Sequence, residues 1–309
     1  MDSKTFRKKI VFTSSIFSSK HSITNALLLA ESIRDFAGKL SESQIWFYTM
    51  SNGGELPANV EDRLQAIGVE LIPVKVDREV GKFFFVPEVV AATEAEERAL
   101  NKADVLVWLG SNTIVLREPS DLLLPRGKNL GYRPVHHTLV GSRIDAPLDP
   151  FWSLVYDHCG VTGDHVFPMK THIEGTTVRP YLNAGLVVTR PEKRLIRNWR
   201  DSFLSLYREP ELERLYKIDG RYRIFIHQAV LSAVAMVSFP RGELLELPPT
   251  YNYPIHLYND DVTGQRPHTI EELVTLRHEG FYDDPDWAEK MPAKEPLKKW
   301  LSEKLLISI

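Results

Sequence analysis

Val105-Leu106-Val107-Trp108-Leu109-Gly110-Ser111-Asn112-Thr113-Ile114-Val115-Leu116 sets two apolar runs on either side of one short polar step. The first run is continuous rather than alternating, which is the pattern of a strand buried on both faces in a helix-covered sheet. A second short strand is expected directly after the step. Ligands of open α/β sheets gather where such strands end, so Gly110-Ser111-Asn112 falls where chemistry is expected. The step offers a glycine, a hydroxyl and an amide, but no carboxylate.

Upstream of this stretch, strand and helix alternate. Residues 9–13 read as a strand. Ala26, Leu27, Ala30, Ile33 and Ala37 share one face of a helix over about residues 22–37, which Gly38 stops. Residues 44–48 and 69–74 are the next strands, with an Asn52-Gly53-Gly54 turn and a short helix over 57–67 between them. Thr93 and Glu96 form a capping-box pair for a helix running to about Lys102. Its acidic start (Glu94, Glu96, Glu97) and basic end (Arg98, Lys102) suit the helix dipole. A strand over 104–109 follows at once, completing the order of a parallel sheet covered by helices.

The downstream part is less regular. Residues 125–180 are rich in Pro, Gly and His and read as loops with one helix near 149–158; such loops on a rigid sheet commonly carry binding groups. Residues 186–189 form a strand, and Pro191 opens a helix whose apolar face is Leu195, Ile196, Trp199, Phe203 and Leu206. A buried helix covers about 224–237, and Pro248-Pro249-Thr250-Tyr251-Asn252-Tyr253-Pro254 is a rigid aromatic loop. Leu297, Trp300, Leu301 and Leu305 share a helical face, which packing on the parent domain explains more simply than a membrane or partner surface. There is no internal repeat and no low-complexity linker. The expectation is a single α/β domain: a mostly parallel central sheet, helices on both faces and a loop-rich C-terminal half.

Composition narrows the function. At 309 residues, 43% hydrophobic and 26% charged, the chain is an ordinary globular protein, and its net charge of -3 gives no basic face for nucleic acid. Cys159 is the sole cysteine, so an internal disulfide and a thiolate metal cluster are excluded, and a small buried apolar residue is expected there. The apolar run 10–12 stops at Thr13-Ser14-Ser15, too short for a signal-peptide core, and the run 229–239 is broken by Ser232 and Ser238. No transmembrane segment is expected, and the chain reads as cytoplasmic.

Two further segments make the sheet specific. One is Arg179-Pro180-Tyr181-Leu182-Asn183-Ala184-Gly185-Leu186-Val187-Val188-Thr189-Arg190-Pro191, followed by Trp199; the other is His227-Gln228-Ala229-Val230-Leu231-Ser232. With the step at 110–112, their order and spacing resemble the nucleotide-sugar glycosyltransferases of the GT-A fold, most of all family 8, the glycogenin and galactosyltransferase-like type. That type has an Asp-x-Asp step after a buried strand, then an Asn-Ala-Gly strand, then an Asp-Gln pair. A His near a Gly follows, here His278 and Gly280. The resemblance covers residues 9–282 and implies a GT-A-like domain over 1–290, with a nucleotide-binding half (1–125) and an acceptor half (126–290). Residues 291–309 are then a C-terminal amphipathic helix. It also implies a sugar-nucleotide donor, a carbohydrate or other hydroxyl acceptor, and a donor or acceptor site built from Thr13, Gly110, Ser111, Asn112, Asn183, Ala184, Gly185, His227 and Gln228.

The departures fall on one constellation. The family's Asp-x-Asp carboxylates hold a divalent cation against the diphosphate, which a hard cation and its oxygen ligands suit. Here those positions are Gly110 and Asn112, and His227 replaces the Asp of Asp-Gln. Asn112 and His278 remain as candidate ligands, and Mn²⁺ or Mg²⁺ would need other groups in place of the lost carboxylates. Asp260-Asp261 and Asp283-Asp284 with Asp286 are open to that role but read more simply as solvated loop carboxylates.

Among the remaining candidates, Asn183 offers a donor and an acceptor to sugar hydroxyls, and Gly185 lets the backbone approach a ligand. Gln228 is either a ligand or a helix-start cap. His136-His137, near His165 and His172, do not make a zinc site, because adjacent side chains point apart and no His-x-x-x-His pair sits on a helix. Without a metal, the leaving-group charge falls to cations or backbone N–H groups. Arg133, Arg143, Arg179 and Arg190 form the pool. Tyr251-Asn252-Tyr253 either stacks on a sugar or base or packs at the domain edge.

No catalytic base stands out. A glycosyltransferase, with its metal dependence left open, is the first reading, and an inactive nucleotide-sugar or carbohydrate-binding module of the same fold is the alternative. A nucleotidyltransferase is third, since the N-terminal segment lacks a glycine-rich loop followed by a basic residue.

Overall fold

The computed structural model describes residues 9–50 and 54–307, so most of the expected 52–54 turn lies outside the described residues. In chain order the elements are β1 (Ile10–Ile16), α1 (Lys20–Phe36), β2 (Gln44–Met50), α2 (Ala58–Ala66), β3 (Val69–Val74), α3 (Val86–Ala99), β4 (Val105–Leu109) and β5 (Thr113–Val115). There follow β6 (Leu130–Pro134), α4 (Pro150–Cys159), β7 (Met169–Lys170), β8 (Thr177–Val178), β9 (Leu182–Thr189), α5 (Leu195–Leu206), α6 (Pro210–Ile218) and α7 (Gly220–Ser238). The chain ends with β10 (Leu244–Glu246), β11 (Tyr253–Pro254), β12 (Thr275–Arg277), α8 (Trp287–Lys290) and α9 (Leu297–Ile307).

A seven-stranded sheet runs in the order β10-β6-β9-β4-β1-β2-β3. β1 is parallel to β2 and β4, β2 to β3, and β6 to β10; β9 alone runs against its neighbours β4 and β6. The alternation along each strand divides the core. Val11, Trp46, Tyr48, Leu106 and Trp108 face α3, α4, α5 and α7, whereas Ile10, Phe12, Ile45, Phe47, Val105 and Val107 face α1 and α2. Both faces are therefore buried, which is why the strands read as continuous apolar runs. β5 leaves this sheet and pairs with β12 beside β11 in a three-stranded sheet against the outer side of α1. α9 closes that layer through Leu297 and Leu301, the Trp300 indole donating to Asp35 at 2.6 Å. It packs on its own domain.

Several elements differ from the sequence reading. α3 starts at Val86, so Thr93 is not a cap; its hydroxyl lies mid-helix and donates to the Val89 carbonyl. The partner assigned to it, Glu96, reaches instead to the start of α5 and accepts from the backbone N–H groups of Ile196 (3.0 Å) and Arg197 (2.9 Å). β6, β7 and β8 lie within the span read as loops, while α4 stands where the helix was expected. Gly131 concealed β6, yet the strand needs it: a Cβ there would sit 3.1 Å from Leu124 and 3.2 Å from Val188. α6 was not anticipated. Pro191 opens a 3₁₀ turn rather than α5 itself, and Cys159 is half-buried rather than buried. Among the described residues no helix is long and apolar enough to cross a membrane.

Glu96 is buried, and burial pushes its carboxyl up to about 7 against the two N–H donors. Glu96→Ala leaves those donors unpaired and is expected to lower stability by about 1–3 kcal/mol. Urea unfolding measures this; an unchanged midpoint would remove the cross-link from the account.

Candidate functional site

β1, β2 and β3 build outward in one direction, and the chain then returns to place β4 on the other side of β1. The carboxyl ends of β1 and β4 thus meet at a topological switch point, where α/β sheets bind ligands. A cavity of about 600 Å³ opens there. Gly110, Ser111 and Asn112 line it from the end of β4, Asn183, Ala184 and Gly185 from β9, and His227 and Gln228 from α7. Eight of the nine residues expected in the site are brought together. Thr13 is not among them, because its hydroxyl is buried beneath the sheet and donates to the Val107 carbonyl at 3.0 Å. Ser15, two residues further along β1, reaches the cavity in its place.

Local bonds fix these segments. The Gly110 N–H donates to the Gly185 carbonyl (2.9 Å), and the Thr113 N–H to the Gly110 carbonyl (3.1 Å). Asn112 is clasped twice to His278: its side-chain amide donates to the His278 carbonyl (2.8 Å), and the His278 N–H donates to the Asn112 carbonyl (3.1 Å). Gln228 is not a helix-start cap, since α7 begins at Gly220; its Oε1 accepts the Ala184 N–H at 2.9 Å and ties α7 to β9. His227 stacks on Phe85 with ring centroids 4.1 Å apart, and its Nδ1 meets the Ile224 carbonyl at 2.9 Å.

The cation in the cavity is Arg277, at the end of β12, and the sequence reading missed it. Its guanidinium occupies the space a side chain at Gly185 would fill: a Cβ there would stand 2.0 Å from Nη1. Asn183 Oδ1 accepts from both Nη1 and the Gly185 N–H, each at 2.9 Å. Nε has no hydrogen-bond partner, and among the described residues no carboxylate pairs with the group. Burial lowers its pKa, with Glu279 alone opposing. The only advance signal was its place beside His278.

The expected cations lie elsewhere. Arg133 is buried against Glu246 (3.3 Å) and the Leu247 carbonyl (2.6 Å), and Arg143 pairs with Asp145 on the surface. Arg179 donates to the Ser142 hydroxyl and Arg190 to the Lys128 carbonyl. Tyr251 and Tyr253 are buried packing groups outside the cavity lining; Tyr253 donates to Asp261 at 3.0 Å.

The residues do not fit a divalent cation. The step has no carboxylate, and the His278 ring lies outside the cavity lining, its edge against Phe281 and its Nε2 unpartnered. Asp283 and Asp284 are engaged by His21 and Lys290. Among the described residues no three His, Cys, Asp or Glu side chains converge as a metal site. A divalent ion at about 4 Å from the guanidinium would be opposed by roughly 8 kcal/mol at an effective dielectric constant of about 20.

Two carboxyl groups line the cavity, Glu88 in the first turn of α3 and Glu279 after β12. Burial pushes Glu88 up to about 6, opposed by a backbone N–H. Phe85 and Leu139 stand exposed at the rim.

The model of the Rhodobacterales glycosyltransferase domain matches residues 15–237. The chain belongs to this family. The match takes in the step at 110–112, the Asn183–Gly185 segment and the His227-Gln228 pair; Arg277 lies beyond it. No curated protein matches the chain. Among solved structures it is similar to WbbM, a bifunctional glycosyltransferase in its apo form, with 13% identity over 97% of this chain and 52% of that one and a TM-score of 0.54. It is also similar to the glycosyltransferase GlyE of Streptococcus pneumoniae TIGR4, at 14% identity over 97% of this chain and 61% of that one, with a TM-score of 0.47. The chain therefore spans only about half to three-fifths of these structures. At 13% identity the likeness to WbbM is one of fold.

Burial lowers His172, His227 and His278 to about 3, with Arg277 adding to the last two. A group depressed from 6.5 binds its proton on unfolding, so stability is lost as pH falls from about 6.5 toward 3. Imidazole NMR signals of these three residues are expected to stay flat between pH 5 and 8. Titration of any of them near 6.5 would contradict its burial as a neutral ring.

Proposed function

We propose that this glycosyltransferase moves a sugar from a nucleotide diphospho-sugar to a hydroxyl acceptor, as the family 8 enzymes it resembles do, but without a cation held at an Asp-x-Asp step. The observation that carries this reading is the convergence of Gly110-Ser111-Asn112, Asn183-Ala184-Gly185 and His227-Gln228 on one cavity at the switch point. Its volume of about 600 Å³ lies within the usual range for ligand pockets, about 300–1,000 Å³. Residues 1–125 hold the nucleotide, residues 126–290 supply the acceptor side, and the helix after residue 290 stands outside the site.

In this reading the diphosphate lies beside Gly110-Ser111-Asn112, where the absence of a side chain at Gly110 lets the backbone approach it. Asn183 keeps one amide hydrogen for a sugar hydroxyl, its oxygen being engaged by Arg277 and the Gly185 N–H and its nitrogen facing His136 Nε2 at 3.4 Å. His227, donating from Nδ1 to the Ile224 carbonyl, presents Nε2 as an acceptor. The acceptor sugar enters past Phe85 and Leu139, whose apolar faces suit a pyranose ring. Glu88 takes the proton from the attacking hydroxyl. Its position in the cavity, without a side-chain partner, and a pKa near the working pH suit a general base.

Thermal unfolding across a panel of sugar nucleotides is expected to show a raised midpoint with at least one donor; no shift with any of them contradicts a donor site here. With that donor, Glu88→Gln is expected to slow release of nucleoside diphosphate, to water or a monosaccharide panel, by about 10²–10⁴-fold. Donor affinity is expected to stay within about two-fold, since a general base acts on the rate rather than on ground-state binding. An unchanged rate would remove Glu88 from the chemistry.

A further inference from the structure

Where the resembling family places two carboxylates and a divalent ion, this chain places glycine, asparagine and a guanidinium. Arg277 comes from a distant part of the sequence and is carried to the step by the Asn112–His278 clasp. It is held in one orientation by Asn183 and seated on Gly185, where any side chain would displace it. It opens on the cavity, its Nε lacks a partner, and among the described residues no carboxylate forms a salt bridge with it, Glu279 acting on it only through space. A half-buried cation so arranged is incomplete until an anion arrives, and a planar guanidinium fork matches phosphate oxygens.

We infer that Arg277 stands in for the divalent cation: its guanidinium binds the diphosphate of the sugar nucleotide and meets the charge that develops on the departing nucleoside diphosphate. This rests on the donor site proposed above. As the bond between the anomeric carbon and the phosphate oxygen breaks, its electron pair stays on that oxygen, beside the guanidinium. The acceptor oxygen forms the new bond to carbon, and its proton passes to Glu88. A preorganised cation stabilises such charge without reorganising during the reaction. Asn183 is a positioning residue for Arg277, and Gly185 leaves the room it needs.

Calorimetric titration of the full chain with UDP, GDP, CDP, ADP and dTDP in EDTA, then with Mn²⁺, tests this. One of the five is expected to bind in EDTA, with affinity changed less than about two-fold by Mn²⁺. Arg277→Met is expected to weaken it about 10–100-fold, the range for charge-assisted hydrogen bonds. Arg277→Lys, which keeps the charge but not the fork, should fall between. Gly185→Ala keeps the arginine but pushes it from its seat; it should weaken binding in the same direction and serves if Arg277→Met does not fold. Binding that requires Mn²⁺ in the unaltered chain, or equal affinity in Arg277→Met or Gly185→Ala, overturns the inference while leaving the donor site standing. No binding of any of the five by the unaltered chain removes both.

Discussion

The guanidinium of Arg277, set against the backbone of Gly185 and bound by Asn183, is the contact around which the cavity is organised. A partly buried charge without a salt-bridge partner is unfavourable, so the groups near it are constrained. A side chain at Gly185 would displace the guanidinium, because Nη1 occupies its place. A Cβ at Gly110 would stand 3.8 Å from Cζ, so an aspartate at that position would pair with the arginine and neutralise it. The same cation lowers the pKa of His136, His227, His256 and His278, burial being the larger cause in each.

Delivering that cation is the work of the whole fold. The parallel strands set the floor at the switch between β1 and β4, and β9 adds the antiparallel strand that carries Asn183 and Gly185. α7 is tied to β9 by Gln228 and by Ser232, whose hydroxyl oxygen accepts the Leu182 N–H at 2.8 Å. β5 and β12 then pair beyond the sheet, and the Asn112–His278 clasp closes a loop of 166 residues to set Arg277 over the step. α9 lies on α1 behind this layer, a packing role that keeps the C-terminal module in register with the sheet.

The parallel half was legible in the sequence because burial on both faces writes unbroken apolar runs, and short βα connections keep neighbours close along the chain. The step, the Asn-Ala-Gly strand and the His-Gln pair were legible through a family resemblance, and they do converge. Less visible were features created by distant contacts. Glu96 looked like half of a local capping box, yet it serves a helix 100 residues away. β6 was hidden by Gly131 and Pro134, which its packing tolerates or needs. Thr13 lay too deep along β1; Ser15, two residues nearer the carboxyl end of the strand, reaches the cavity. Arg277 sat unremarked beside His278: arginine is common, and only the pairing of β12 with β5 gives this one an unusual place. The arginines that did attract notice all found carbonyl, hydroxyl or carboxylate partners near the loops that carry them.

The most direct measurement is a crystal structure grown with Mn²⁺ and the best-binding nucleoside diphosphate, with diffraction recorded at the manganese edge. The account predicts phosphate oxygens within hydrogen-bond distance of the Arg277 guanidinium and no anomalous peak between Gly110-Ser111-Asn112 and the diphosphate. A manganese peak bridging that step and the diphosphate, with Arg277 turned away from it, would contradict the account.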